Sequence, residues 1–200
     1  MVENKTITTF VFPALMTLLL LLGHIASDVF SLAYDREAIQ AGQTYLLMSG
    51  QFVHTNSFHL LLNTTALWLL WLTLGPALKT SAWFSSSAVS LLGVALGLYF
   101  LNPEVLHYVG FSGALHGLFV TGALALIRSK ALMSVALLTL IAAKLFFELR
   151  TNDMTANAAL IDSPIVHFAH LYGALAGIVS WSALLALNLV PCLSSPFPKR

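Results

Sequence analysis

Long apolar runs separated by short polar breaks make up most of this chain, and their lengths predict helices that cross a bilayer. One crossing needs about 20 mostly apolar residues. Six stretches are candidates: residues 9–30, 58–74, 82–101, 112–127, 131–149 and 165–189, the fourth being short. Gly75-Pro76 and Arg128-Ser129-Lys130 are tight joins, whereas residues 31–57 and 150–164 are longer polar connections. The expected fold class is all-α: a polytopic membrane protein, a six-helix bundle forming a single membrane domain over residues 1–200.

Composition sharpens this picture. The chain is 58% hydrophobic and 8% charged, with a mean hydropathy of +0.86, more apolar surface than a soluble core can use. A net charge of +1 gives no case for nucleic acid as a partner. The single cysteine, Cys192, allows no internal disulfide and no cysteine-based metal site. The first apolar run is too long for a signal peptide and lacks a small-x-small cleavage site, so it reads as a retained helix. With six spans, Lys5, Lys79, Arg128, Lys130, Lys199 and Arg200 fall on one side. Arg36 and Arg150 fall on the other, among Asp35, Glu37, Glu104, Asp153 and Asp162. The positive-inside rule then predicts two cytoplasmic termini. Lys144 lies inside the fifth candidate span with Glu148 one turn on, an i,i+4 pair that reads as structural.

The polar residues inside the spans are more informative. His59 and Asn63 lie one turn apart at the outer end of the second candidate helix. Ser112 and His116 do the same on the fourth, and His167 and His170 sit in the first two turns of the sixth. All three helices run from outside to inside, so the three pairs share one depth and describe one polar pocket below the outer surface. Ionisable groups inside a membrane mark function by default. The lipid bilayer and a membrane-anchored protein are the expected partners.

Within this pocket the segment Gly110-Phe111-Ser112-Gly113-Ala114-Leu115-His116-Gly117 stands out. Taken alone it reads equally as a small-residue helix contact or as a nucleophilic serine beside free backbone N–H groups. A base must reach Ser112 from another helix. His170 is favoured over His167, because Gly173 and Gly177 follow it as a Gly-x-x-x-Gly stripe that matches Gly113 and Gly117. His59 and Asn63, with the Ser112 backbone N–H, can donate to an oxyanion. No carboxylate is expected at this depth, so the pocket predicts a Ser–His dyad. Metal and cofactor are expected to be none. A metal or haem site built from His54, His59, His116, His167 and His170 is the weaker reading, because no His-Glu-x-x-His occurs and the histidines gather at one side.

These residues resemble the motifs of rhomboid intramembrane serine proteases. Phe52-x-His54 followed by His59-Leu-Leu-Leu-Asn63 resembles the helix-two motif, and Gly110-Phe-Ser112-Gly113 the nucleophile motif. Ala169-His170-Leu-Tyr-Gly173-Ala-Leu-Ala-Gly177 resembles the base motif. The fuller string Gly-x-Ser-Gly-x-Leu-His-Gly resembles the rhombosortase branch, thought to process proteins with a C-terminal GlyGly-CTERM anchor. The resemblance implies a serine endopeptidase of the bacterial inner membrane, its active site facing the periplasm. The alternatives are a general rhomboid protease with other substrates and a non-catalytic relative that binds membrane segments. Where many rhomboids carry Trp-Arg in the first loop, this chain has Tyr45-Leu46-Leu47-Met48-Ser49-Gly50, and Lys79 stands where many carry an acid. The residue one turn after the nucleophile, often Tyr, is His116, which could stack on His170 or compete with it as base. A membrane-embedded substrate must enter sideways, and the fifth helix, with Phe146 and Phe147 near its outer end, is the expected gate. Residues alone leave open the native substrate, and whether the acyl group passes to water or to an amine.

Overall fold

The computed structural model describes residues 3–151 and 156–190, with side chains over 10–150 and 159–190. Asp153, Cys192, Lys199 and Arg200 lie outside the described residues, as does the side chain of Lys5. The order is α1 (Glu3–Ala26), β1 (Tyr34–Asp35), α2 (Arg36–Gln40), α3 (Leu46–Ser49), α4 (Ser57–Leu74) and α5 (Thr80–Leu101). Then follow β2 (His107–Tyr108), α6 (Ser112–Ala125), α7 (Ala131–Thr151), α8 (Ala156–Ile161) and α9 (His167–Ala186). The result is an all-α membrane bundle. Four helical segments are long and apolar enough to cross a membrane: Ser57–Ala77, Thr80–Leu101, Ala131–Arg150 and His167–Ala186. The other two candidates are shorter apolar helices, Phe10–Ala26 and Ser112–Ala125.

The short helix α6 is the axis of the bundle, packed by α9, α5, α7 and α4. Its closest neighbour is α9, and glycine makes that approach possible. A methyl group added at Gly173 would run into the Gly113 carbonyl, and one at Gly177 into the Gly117 carbonyl. Backbone thus lies on backbone along the whole contact, the arrangement small residues permit in membranes. The Thr121 hydroxyl adds a polar link, 2.9 Å from the Gly117 carbonyl and 3.0 Å from that of Gly177. At the far end of α6 from Ser112, Phe12, Trp71 and Trp83 form an aromatic cluster, and the Trp83 indole donates to the Gly75 carbonyl at 3.0 Å.

Residues 31–57 are more ordered than a polar connection. Tyr34, Ile39 and Leu46 are buried, and β1 pairs antiparallel with β2 in the register Tyr34↔Tyr108 and Asp35↔His107. Arg36 anchors the segment. Its guanidinium donates to the carbonyls of Val105 (3.0 Å), Tyr99 (3.1 Å), Leu98 (2.8 Å) and Asn102 (2.9 Å). Several of these belong to the last turn of α5, whose carbonyls lack helical partners and whose dipole favours a cation. The five donors of arginine suit such a cluster. The loop arginine missing beside Tyr45 therefore has a structural counterpart ten residues earlier in the chain.

The α6–α9 contact generates a stability prediction. Gly173→Ala places a methyl against backbone that cannot swing aside, so it should cost on the order of 1–3 kcal/mol or more. Thermal unfolding in detergent micelles should show a lowered melting temperature. An unchanged value would contradict the close-contact account.

Candidate active site

Ser112 is the first residue of α6. Gly110, just before it, has φ +114°, a conformation that L side chains rarely adopt. A Cβ at Gly110 would also lie 2.8 Å from Cε1 and Nε2 of His59, so the position excludes a side chain twice over. Phe111, fully buried, pins the turn against Phe52 at a ring distance of 6.1 Å. Two bonds hold this turn: Gly110 N–H donates to the Gly50 carbonyl of the first loop at 3.1 Å, and the hydroxyl of Tyr108, in β2, donates to the Gly110 carbonyl at 2.8 Å. Because α6 starts here, the N–H groups of its first turn have no helical acceptor, and the positive end of the helix dipole faces the site.

The glycine contact carries His170 to the serine. His170 Nε2 lies 2.9 Å from Ser112 Oγ. His167 lies to one side, its Nδ1 3.9 Å from a Glu148 oxygen. His116 stacks on His170 with ring centroids 4.2 Å apart and planes 17° from parallel. Its partners answer whether it competes as base. His116 Nδ1 lies 2.7 Å from the Ser112 carbonyl, which only accepts, so Nδ1 carries the proton. Nε2 lies 3.1 Å from the Lys144 ammonium, which only donates. Both nitrogens of His116 are engaged away from Ser112 Oγ, and its ring lies against that of His170.

Glu148 corrects the sequence reading. Lys144 and Glu148 do pair at i,i+4, yet the pair is not merely structural, and a carboxylate does reach the serine's depth. One Glu148 oxygen takes the Lys144 ammonium, and the other lies 2.9 Å from His170 Nδ1. A carboxylate accepts, so Nδ1 is the protonated nitrogen of His170 and Nε2 is free to accept the serine proton. The sequence held one signal: positions 141, 145 and 148 fall on one stripe of α7, and the structure buries its apolar members Ile141 and Leu145 and leaves the Glu148 side chain 12% exposed, with Lys144 at the stripe's edge, 45% exposed.

His59 and Asn63 are both buried on α4. Asn56 caps this helix, accepting the His59 N–H at 2.8 Å, which fixes the register of both residues. Asn63 Nδ2 donates to the His59 carbonyl at 3.2 Å, leaving its second amide proton for a ligand. His59 Nδ1 lies 3.2 Å from the Thr55 hydroxyl, which itself donates to the Ile161 carbonyl at 2.6 Å. With that pairing the proton of neutral His59 is on Nδ1. Its Nε2 donates only after the ring gains a second proton or the hydroxyl turns. Asn63 and the α6 N-terminus are the ready donors. His54 supports His59 edge-on, with ring centroids 4.9 Å apart. Burial, with His59 and His24 beside it, holds the His54 pKa down at about 3, so it is a neutral packing ring.

Ser112, His170, His59, Asn63 and Glu148 line one cavity of about 430 Å³. It continues as an apolar slot between Leu62, Ala66 and Leu69 of α4 and Leu140 and Ile141 of α7. Phe146 and Phe147 do not belong to it: both are exposed, and their rings pack edge-on at 5.7 Å. Side-chain donor atoms of His116, Glu148 and His170 also gather within 4.8 Å of one another, a spacing a metal ion could use. The chain supplies its own cation there, because the Lys144 ammonium contacts both His116 and Glu148.

The fold and site together are those of a membrane-embedded helical bundle with a hydroxyl–imidazole pair in an apolar cavity. The family model described as Rhomboid domain matches residues 41–187, and the chain belongs to the rhomboid family, whose members are intramembrane serine proteases acting on membrane proteins. Neither the comparison with curated proteins nor that with solved structures finds a match.

This geometry predicts the weight of the oxyanion donors. Asn63→Ala should lower kcat by on the order of a hundredfold, as expected for one lost oxyanion donor, while KM changes by less than about threefold. A pure KM defect would move Asn63 from the oxyanion site to substrate binding.

Proposed function

We propose that this protein is an intramembrane serine endopeptidase in which Ser112 is the nucleophile and His170 the base. The observation that carries this reading is the 2.9 Å contact between Ser112 Oγ and His170 Nε2 inside an apolar cavity. In the first step Ser112 Oγ bonds to the scissile carbonyl carbon and its proton passes to His170 Nε2. The carbonyl oxygen becomes an oxyanion and is met by Asn63 and the Ser112 N–H, and by His59 Nε2 once the Thr55 hydroxyl turns to donate to Nδ1. Collapse of that intermediate breaks the C–N bond, and the leaving amine takes the proton from Nε2. An acyl-serine remains. Water then loses a proton to His170 and attacks the ester, and Ser112 leaves with that proton.

The substrate enters sideways through the slot between α4 and α7. Among the described residues no extensive contact joins these two helices, and α7 is held through α6 and α9. The gate is the motion of α7, with Leu140 and Ile141 as its slot-facing residues. We further assign six spans, cytoplasmic termini and a site opening on the outer side, on the distribution of cations, while the resemblance to rhombosortases adds a bacterial inner membrane and so a periplasmic outer side. The string Gly110-Phe-Ser112-Gly113-Ala-Leu-His116-Gly117 favours the rhombosortase branch. The substrate is then a single-span C-terminal anchor, with Gly-Gly ahead of the apolar run and basic residues after it. Glycines at the cut unwind cheaply, because each costs a helix roughly 1 kcal/mol relative to Ala.

Two experiments test this reading. Ser112→Ala and His170→Ala should each abolish cleavage of a co-expressed anchored protein while leaving the fold intact. The double variant should lose no more than either one, since the two residues act as a unit. Retained activity in His170→Ala would remove it as base. Mass spectrometry of the product should find the new C-terminus at or beside the glycines. Efficient cutting of anchors without glycines, and none of the GlyGly type, would leave a general rhomboid protease.

A further inference from the structure

We propose that Glu148 is a positioning residue of the active site: it orients His170 and holds the proton on Nδ1, making a three-residue relay of Ser112, His170 and Glu148. This rests on the proposed reading of Ser112 and His170 as nucleophile and base. The geometry carries it. Glu148 Oε2 lies 2.9 Å from His170 Nδ1, while His170 Nε2 lies 2.9 Å from Ser112 Oγ, so the ring is bonded at both nitrogens, in line with its task.

The carboxylate is itself held. Its other oxygen takes the Lys144 ammonium, and Lys144 also reaches His116, the ring stacked on His170. One ion pair therefore fixes the carboxylate under the base and secures the platform above it. A lone carboxylate in an apolar site would be costly, and its pairing with Lys144 together with its bond to His170 offsets part of that cost. Glu148 is only 12% exposed in its side chain, which makes its bond to the imidazole strong.

During attack the serine proton moves to Nε2 and the ring becomes an imidazolium, with Nδ1–H still donating to Glu148. The carboxylate gains no proton; it stabilises the positive ring and prevents it from turning. The proton on Nε2 then leaves with the amine, so the imidazole returns to its starting protonation, and Ser112 regains its proton when water displaces the acyl group. Glu148 comes from α7, the helix that borders the slot. The base is therefore fully oriented only when α7 is seated against α9.

The test combines kinetics with a measurement on the unaltered chain. Glu148→Gln should lower kcat by at least about 100-fold, toward the roughly 10,000-fold loss of a serine protease whose orienting carboxylate is replaced by an amide, with KM within about threefold. The acid limb of the pH–rate profile should move to lower pH by on the order of one unit, because an imidazole without its carboxylate protonates less readily. The groups facing His170 that set this limb are Glu148 and Lys144 on α7, His116 on α6, His59 on α4, Tyr108 on β2 and its own neighbour His167. Lys144→Met/Glu148→Gln, which leaves no unpaired charge, should move the limb the same way by a smaller amount if the single variant folds poorly, because loss of the ammonium partly offsets loss of the carboxylate. In the unaltered protein, ¹⁵N NMR of His170 at neutral pH should find the proton on Nδ1 and a bare Nε2. A kcat within about threefold of the unaltered enzyme, or a loss matched by lost folded protein with the acid limb unmoved, would overturn the proposal. So would a resting proton on Nε2. If the unaltered enzyme cleaves and Ser112→Ala does not, any of these results removes the role of Glu148 alone. An inert unaltered enzyme removes the protease reading with it.

Discussion

Everything at this site depends on how closely two helices approach. Ser112 and His170 are 58 positions apart in sequence and meet at 2.9 Å only because α6 and α9 touch through glycine backbone. Gly113 receives Gly173, and Gly117 receives Gly177, so the contact sets the distance between the axes and the rotation of each helix about its own. No apolar driving force distinguishes helix from lipid in a bilayer, and close packing of small residues supplies the association. The same stripe that holds the bundle therefore sets the spacing of Ser112 and His170. The position of each on its helix does the rest. His170 lies one turn before Gly173, and Ser112 immediately before Gly113.

A second constraint is that polar groups in this setting must be satisfied by the protein itself. The first loop provides much of that. Arg36 collects four carbonyls around the end of α5, and Gln51, fully buried, donates to the Leu91 carbonyl at 2.8 Å. Through the β1–β2 pairing and the Gly50–Gly110 bond this loop reaches the nucleophile turn directly. It is a brace for the active serine, and its buried residues explain why a segment with so many polar positions is ordered. At the site the Lys144–Glu148 pair places two charges of opposite sign together, so the cavity gains strong dipoles without a net charge.

Much of this was legible in the sequence. The apolar runs located the long helices to within a few residues. The turn-by-turn spacing picked out His59, Asn63, Ser112, His116 and His170, which line one cavity, and His167, which does not. The two glycine stripes favoured His170 over His167, and His170 Nε2 lies 2.9 Å from Ser112 Oγ. Three features escaped for identifiable reasons. Arg36 looks like an ordinary solvated loop cation, because its acceptors are backbone carbonyls that lie 62 to 69 positions away and have no sequence signature. Glu148 was assigned to Lys144 by i,i+4 arithmetic, which is correct but blind to the carboxylate's second oxygen. Phe146 and Phe147 were chosen for bulk near the helix end, whereas rotation of α7 turns them outward and brings Leu140, Ile141, Lys144 and Glu148 to the slot.

The central claim is that Ser112 is a nucleophile activated by His170 within the membrane. The most direct test is to treat membranes containing the protein with a fluorophosphonate probe and to locate the adduct by peptide mass spectrometry. The account predicts a single adduct on Ser112, lost when His170 is replaced by Ala. An adduct on another serine, no adduct in folded protein, or undiminished labelling of Ser112 without His170 would contradict it.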